Sequence, residues 1–223
     1  GTNSPTLTLN GVTPAMAGNY TVYISNSCGN VTSAVAVLTV NTAPAINDQP
    51  DNVTVCAGGN ATFTVSATGG DLTYQWRRNG VNVGGNSPTL NFIGVTPAMA
   101  GNYTVYISNS CGNITSAIAV LTVHTVPVIT NQPDNATVCA GDNVDFSVEA
   151  TGGDLTYQWR RNGVNVGTNS PTLSLTGVTP AMAGNYTVYI SNSCGNITSS
   201  IAVLTVNTIP AITSQPTSIT VCS

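Results

Sequence analysis

The chain has no lysine: its four basic residues are Arg77, Arg78, Arg160 and Arg161. Eight acids and a single histidine, His124, complete the charge, so charged residues fill 5% of 223 positions and the net charge is −4. An ordinary globular domain is roughly a quarter charged. With so few cations and no basic patch, neither nucleic acid nor an anionic membrane is expected as a partner. No apolar run approaches the roughly 18 residues of a bilayer-spanning helix, so no membrane insertion is expected. No stretch has the apolar spacing of an amphipathic helix. No signal peptide is visible either, and the chain opens in mid-pattern, which places its start upstream. The absence of lysine also excludes a Lys–Asn or Lys–Asp amide cross-link, so any covalent tensile strength has to come from cysteine.

What is present is an apolar fraction of 41% with six cysteines, enough to bury a core beneath a Thr-, Ser- and Asn-rich surface of the kind met more often outside the cell. Sliding the sequence by 83 residues lays it on itself: 84–124 matches 1–41 at 34 of 41 positions and 167–207 at 35. Self-similarity at a fixed period signals an array. The junctions "VNTAPAI", "VHTVPVI" and "VNTIPAI" each carry a proline that opens a new strand. Residues 1–43 are then the back part of one repeat, 44–126 and 127–209 are complete repeats, and 210–223 is the first strand of another. Within a repeat the period is two: "ATFTVSA", "LTYQWRR" and "NYTVYIS" alternate, and turn clusters such as "ATGGD", "RNG" and "SCGN" recur about every ten residues. Seven or so short strands per repeat predict an all-β fold, a head-to-tail array of antiparallel β-sandwiches.

The stretch "GNATFTVSATGGDLTYQWRRNGVNV…SPTLNFIGVTPAMAGNYTVYISNSCG" resembles an immunoglobulin-like domain of the intermediate type. Trp76 and Trp159 stand where that family keeps its strand-C core tryptophan, and "AGNY" places Tyr103 and Tyr186 at its tyrosine corner. Its inter-sheet disulfide is replaced here: Val65 and Val105, then Val148 and Val188, occupy the two slots, and Met99 and Met182 replace the acid before "AG". The chain is most similar to tandem immunoglobulin-like repeats of large secreted bacterial surface proteins, adhesins and filaments. The resemblance implies an extracellular, cell-surface role in structure and adhesion, with neighbouring repeats, other fibres, or a cell-surface or glycan ligand as partners. An alternative is a set of glycan-binding modules attached to a secreted enzyme, for which Tyr106, with Tyr23 and Tyr189, would be the exposed aromatic platform.

Neither metal nor cofactor is expected. Calcium needs six to eight converging oxygens, and the acids of "GDNVD" at 141–145 become "GGNAT" in the other full repeat. No catalytic dyad recurs, so no enzyme is expected. His124 occupies a slot held by Asn41 and Asn207 and reads as a surface polar residue. Arg77–Arg78 and Arg160–Arg161 read as strand-C pairs neutralising Asp71 and Asp154, with glycan or anion contact as the other possibility. Period two throws Tyr106, Ile118 and Val120 together onto the outer face of the strand-F/strand-G sheet, a candidate for lateral packing, unless a bulge shifts the register and buries them.

Cysteine occupies two slots, one in the turn between strands A′ and B (Cys56, Cys139, Cys222) and one between F and G (Cys28, Cys111, Cys194). In the inferred sandwich these turns lie at opposite ends, on the order of 30 Å apart for strands of about 3.3 Å per residue. A disulfide needs Cα atoms within about 7 Å. Cys56 is therefore expected to bond Cys194 across the junction, with partners of Cys28, Cys111, Cys139 and Cys222 in repeats beyond the chain. An intradomain bond and free thiols are the competing readings.

Overall fold

Period-two alternation yields short strands, and the turn residues set where each one ends. The structure is a computed structural model describing residues 3–222, and the chain divides between Thr122 and Val123 into two compact units. The first unit opens with β1 (Gly18–Tyr20), β2 (Tyr23–Asn26), β3 (Gly29–Thr32) and β4 (Ala36–Leu38), which pair β1 with β4 and β2 with β3. Tyr23 and Val37 stay exposed there, since no second layer covers them among the described residues.

A full sandwich follows. Its strands are β5 (Ala45–Asp48), β6 (Val53–Cys56), β7 (Ala61–Thr64), β8 (Ser66–Thr68), β9 (Thr73–Arg78), β10 (Val81–Val83), β11 (Thr89–Phe92), β12 (Gly101–Asn109), β13 (Gly112–Thr115) and β14 (Ala119–His124). One layer pairs β5 with β8 and β7 with β11; the other runs β10-β9-β12-β14-β6, with β13 also on β12. The second unit repeats this with β15 (Val128–Asn131), β16 (Ala136–Cys139), β17 (Val144–Ser147), β18 (Glu149–Thr151), β19 (Thr156–Arg161), β20 (Val164–Val166), β21 (Thr172–Leu175), β22 (Gly184–Asn192), β23 (Gly195–Thr198) and β24 (Ala202–Asn207). The first edge strand changes layer partway: β15 pairs β18 antiparallel, whereas β16 lies parallel to β24 with Ala136 opposite Leu204. The all-β tandem architecture agrees with the sequence.

The cores are built from inward-facing aromatics. Phe63 stacks on Tyr103 with centroids 4.8 Å apart, and Phe146 on Tyr186 at 4.9 Å. Burying each such ring contributes about 1.5–3 kcal/mol. The tight hairpin from β9 to β10 works because Asn79 (φ 47°) and Gly80 (φ 84°) both take positive φ, the type I′ geometry that matches strand twist.

The last strand of each sandwich holds a one-residue bulge. Tyr106 on β12 faces Thr115, whereas Tyr103 faces Ala119, so one side of the ladder has an extra residue. Ser116 fills the gap: its Oγ accepts the Val105 N–H at 3.0 Å and donates to the Ala117 carbonyl at 2.8 Å. Side-chain parity flips there. Ser116 faces inward on one side of the bulge, and Ala119 and Leu121 face inward on the other. The bulge weighed from sequence therefore exists, but Ile118 is 59% and Val120 37% exposed.

Candidate functional site

Trp76 and Trp159 are fully buried, and each indole N–H donates to a loop carbonyl, Ser87 and Ser170 respectively, at 3.0 Å. Tyr103 and Tyr186 are also buried and close their corners by donating to the Met99 and Met182 carbonyls at 2.7 Å. Burial pushes both phenols above their usual value of 10.0, against the opposing pull of Arg78 and of Arg161. Val148 and Val188 join Trp159 in one core cluster; in the other repeat Val65 and Val105 are buried, with Val105 opposite Trp76 in the sheet.

The ends of each sandwich are specialised. In the first unit Asn109 Nδ2 donates to the carbonyls of Thr42 (2.7 Å) and Gly70 (2.8 Å), tying the inter-repeat strap to the loop after β8. In the second, Asn192 does the same to Thr125 (2.8 Å) and Gly153 (2.9 Å). Asn41 adds a 2.8 Å bond from Nδ2 to Asp71. The equivalent His124 corrects the surface reading: its side chain is only 11% exposed, with Nε2 3.7 Å from Asp154. Its ring lies so close to Gly153 that any Cβ there would meet it at 2.2 Å. Sequence reasoning missed this strap. The signal was the paired glycines at 69–70 and 152–153, which leave room for the side chain that covers them.

Cys56 ends β6, and the turn after it is tied to the loop before the short 3-10 turn Pro97–Met99 by Gly58 N–H to Val95 O at 2.7 Å. The nine residues of β12 separate that loop from Cys111, about 30 Å of extended chain. Cys56 and Cys194 are each oxidised in a disulfide, whereas Cys28, Cys111, Cys139 and Cys222 are exposed free thiols. Neither Cys56–Cys111 nor Cys139–Cys194 is therefore an intradomain bridge. The Cys111 thiol donates instead to the Asn41 carbonyl at 3.4 Å.

The arginine expectation is corrected too. Asp71 is held by Asn41 and Asp154 lies by His124, so the arginines turn elsewhere. Arg78 and Arg161 donate to the Ala98 and Ala181 carbonyls. Arg77 lies 5.0 Å over the Tyr106 ring, as Arg160 does over Tyr189. Tyr106 is consequently half-covered rather than a bare platform. Among the described residues no cluster of His, Cys, Asp and Glu could hold a metal ion, and no helix is long and apolar enough to cross a membrane.

Comparison with known proteins decides the family, because the immunoglobulin domain profile matches twice, at residues 43–109 and 126–192. The chain belongs to the immunoglobulin domain family. Neuroglian of Drosophila melanogaster is 27% identical over 199 residues, 81% of this chain and 15% of neuroglian. Exoglucanase B of Cellulomonas fimi is 28% identical over 230 residues, 89% of this chain and 21% of the enzyme. The chain thus spans about a fifth or less of these relatives. A solved structure of sidekick-1 immunoglobulin domains 1–4 superposes with a TM-score of 0.59 at 24% identity, covering 88% of this chain and 60% of that one. Immunoglobulin domains are generally non-catalytic, and repeats of this kind are typical of adhesion and structural proteins.

Proposed function

We propose that the chain is a structural and adhesive segment of a long extracellular fibre on a bacterial cell surface, with repeats bounded at 44, 127 and 210 and disulfides stapling their junctions. The observation that carries this reading is which cysteines are oxidised: Cys56, from the turn after β6, and Cys194, from the turn after β22, while the other four are free. Bonded to each other, these two lock one repeat to the next; the four free thiols pair with further repeats of the array. Such staples suit an oxidising location and remove the hinge motion that small interdomain contacts otherwise permit. The apolar pair Ile118 and Val120, with Ile201 and Val203 in the next repeat, supports lateral packing of fibres.

Peptide mapping tests the staple. Cleavage after the arginines gives three pieces, carrying Cys28 and Cys56, then Cys111 and Cys139, then Cys194 and Cys222. Under non-reducing conditions the first piece is expected to stay joined to the third. Joining of first to second and second to third refutes the model. The likeness to exoglucanase B across most of this chain favours a second reading, in which the repeats are ligand-binding modules attached to a secreted enzyme; the full open reading frame, by the repeat number and the domains flanking the array, decides between them.

A further inference from the structure

Arg77 and Arg160 carry guanidinium groups that no carboxylate neutralises among the described residues. Arg77 uses Nε on Asn82 Oδ1 at 3.3 Å, and Arg160 uses Nε on Asn165 Oδ1 at 3.2 Å. Each stacks on a tyrosine, and its terminal nitrogens keep four N–H donors for solvent. Both lie in a shallow groove of about 380 Å³ in one repeat and 390 Å³ in the next, built from equivalent residues. In the first, Thr73 and Gln75 on β9 and Ser108 on β12 form the floor with Arg77 and Tyr106, and Asn86 forms a wall. Asn86 Oδ1 is fixed by the Tyr74 N–H at 2.7 Å, which leaves its amide nitrogen as a donor, and Asn169 repeats this on Tyr157 at 2.7 Å.

A planar cation held on an aromatic ring, beside hydroxyl and amide groups, complements a sugar ring bearing a carboxylate. The guanidinium fork matches a carboxylate bidentately, while the hydroxyls and the amide meet ring hydroxyls. We infer that each groove binds a uronic-acid residue of an acidic polysaccharide, with Arg77 and Arg160 on the carboxylate. The chain carries a net charge of −4, so long-range electrostatics oppose a polyanion and retention has to come from these local sites. Each complete repeat carries one such groove. This inference is independent of the junction staple and stands or falls apart from it.

The test is retention of the chain on immobilised polygalacturonate, with neutral dextran and dextran sulfate as the other arms. The parent is expected to bind polygalacturonate, not dextran, and to weaken as salt screens the contact. Arg77→Gln with Arg160→Gln lowers affinity by at least about tenfold, the scale of charge-assisted hydrogen bonds. Asn86→Asp with Asn169→Asp keeps the acceptor for the Tyr74 and Tyr157 amides, so it preserves the loop while placing a carboxylate in each groove; it abolishes binding while leaving the melting temperature within a few degrees. Absence of parent binding, equal binding to dextran, or parent-like binding by either double variant overturns the inference. Binding to dextran sulfate without polygalacturonate overturns the carboxylate assignment.

Discussion

Asn192→Asp exchanges one amide nitrogen for an oxygen and leaves shape unchanged. Asn192 Oδ1 accepts from the Cys194 and Gly195 amides at 2.9 and 3.1 Å, and Nδ2 donates to the Thr125 and Gly153 carbonyls at 2.8 and 2.9 Å. Aspartate keeps and strengthens the first pair, a gain of about 1 kcal/mol. It loses both donated bonds, at about 1 kcal/mol each, and sets a carboxylate against two carbonyl oxygens, which adds a further ~1–2 kcal/mol in a part-buried site. The net cost is about 2–3 kcal/mol at neutral pH, or a fall of roughly 8–24 °C in that repeat's melting temperature at ~4–8 °C per kcal/mol. Calorimetry reads this as a loss confined to one transition, since Asn109 holds the other strap unaltered. Protonation restores a donor, so the deficit shrinks as the pH falls through the carboxyl's titration near ~4. Faster hydrogen exchange at the core amides of Trp159 and Val188, paired in the central sheet, accompanies the loss at neutral pH. A variant that melts within about 1 °C of the parent, with unchanged exchange, refutes the clamp.

Alkali is expected to unfold both sandwiches. The Tyr103 and Tyr186 phenols titrate above 10.0 in the folded state, so their stabilisation is complete below that pH and is lost as pH rises through the raised values; Tyr103→Phe with Tyr186→Phe shifts the alkaline midpoint upward in a circular-dichroism titration. Ser116→Ala strands the buried Val105 N–H and costs about 1–3 kcal/mol, measured by guanidinium denaturation, whereas alanine at exposed Ser110 changes little. Trp159→Phe loses the bond to Ser170 and part of the core packing, for about 1–3 kcal/mol, and Trp159→Ala about 3–5 kcal/mol.

The elements governed by local pattern were legible. Trp76 and Tyr103 announce themselves as large aromatics at the inward positions of alternating strands, and the Asn79–Gly80 turn because that pair favours positive φ at both residues. The bulge was foreseen as a possibility but its effect was not, because alternation in "TSAIAV" (115–120) fits either parity until Ser116 is seen capping Val105. The arginine pair divided where a single role was expected: adjacent strand residues face opposite sides, so Arg78 reaches a loop carbonyl while Arg77 reaches an aromatic ring. His124 was misread because its burial depends on Gly153, 29 positions away, and no local pattern carries that contact.

The valines in the core slots set an order of events. Val65 and Val105 close their sandwich by dispersion and desolvation alone, as Val148 and Val188 do in the next repeat. Each sandwich can therefore fold in a reducing compartment and keep its shape under reductant. On the proposed stapling, cysteine chemistry reports on neighbours rather than on folding: an oxidant arriving late finds finished beads with thiols at their ends, not loose chains in which any sulfur can meet any other. Folding and cross-linking become separate decisions, made at different times and answerable to different surroundings.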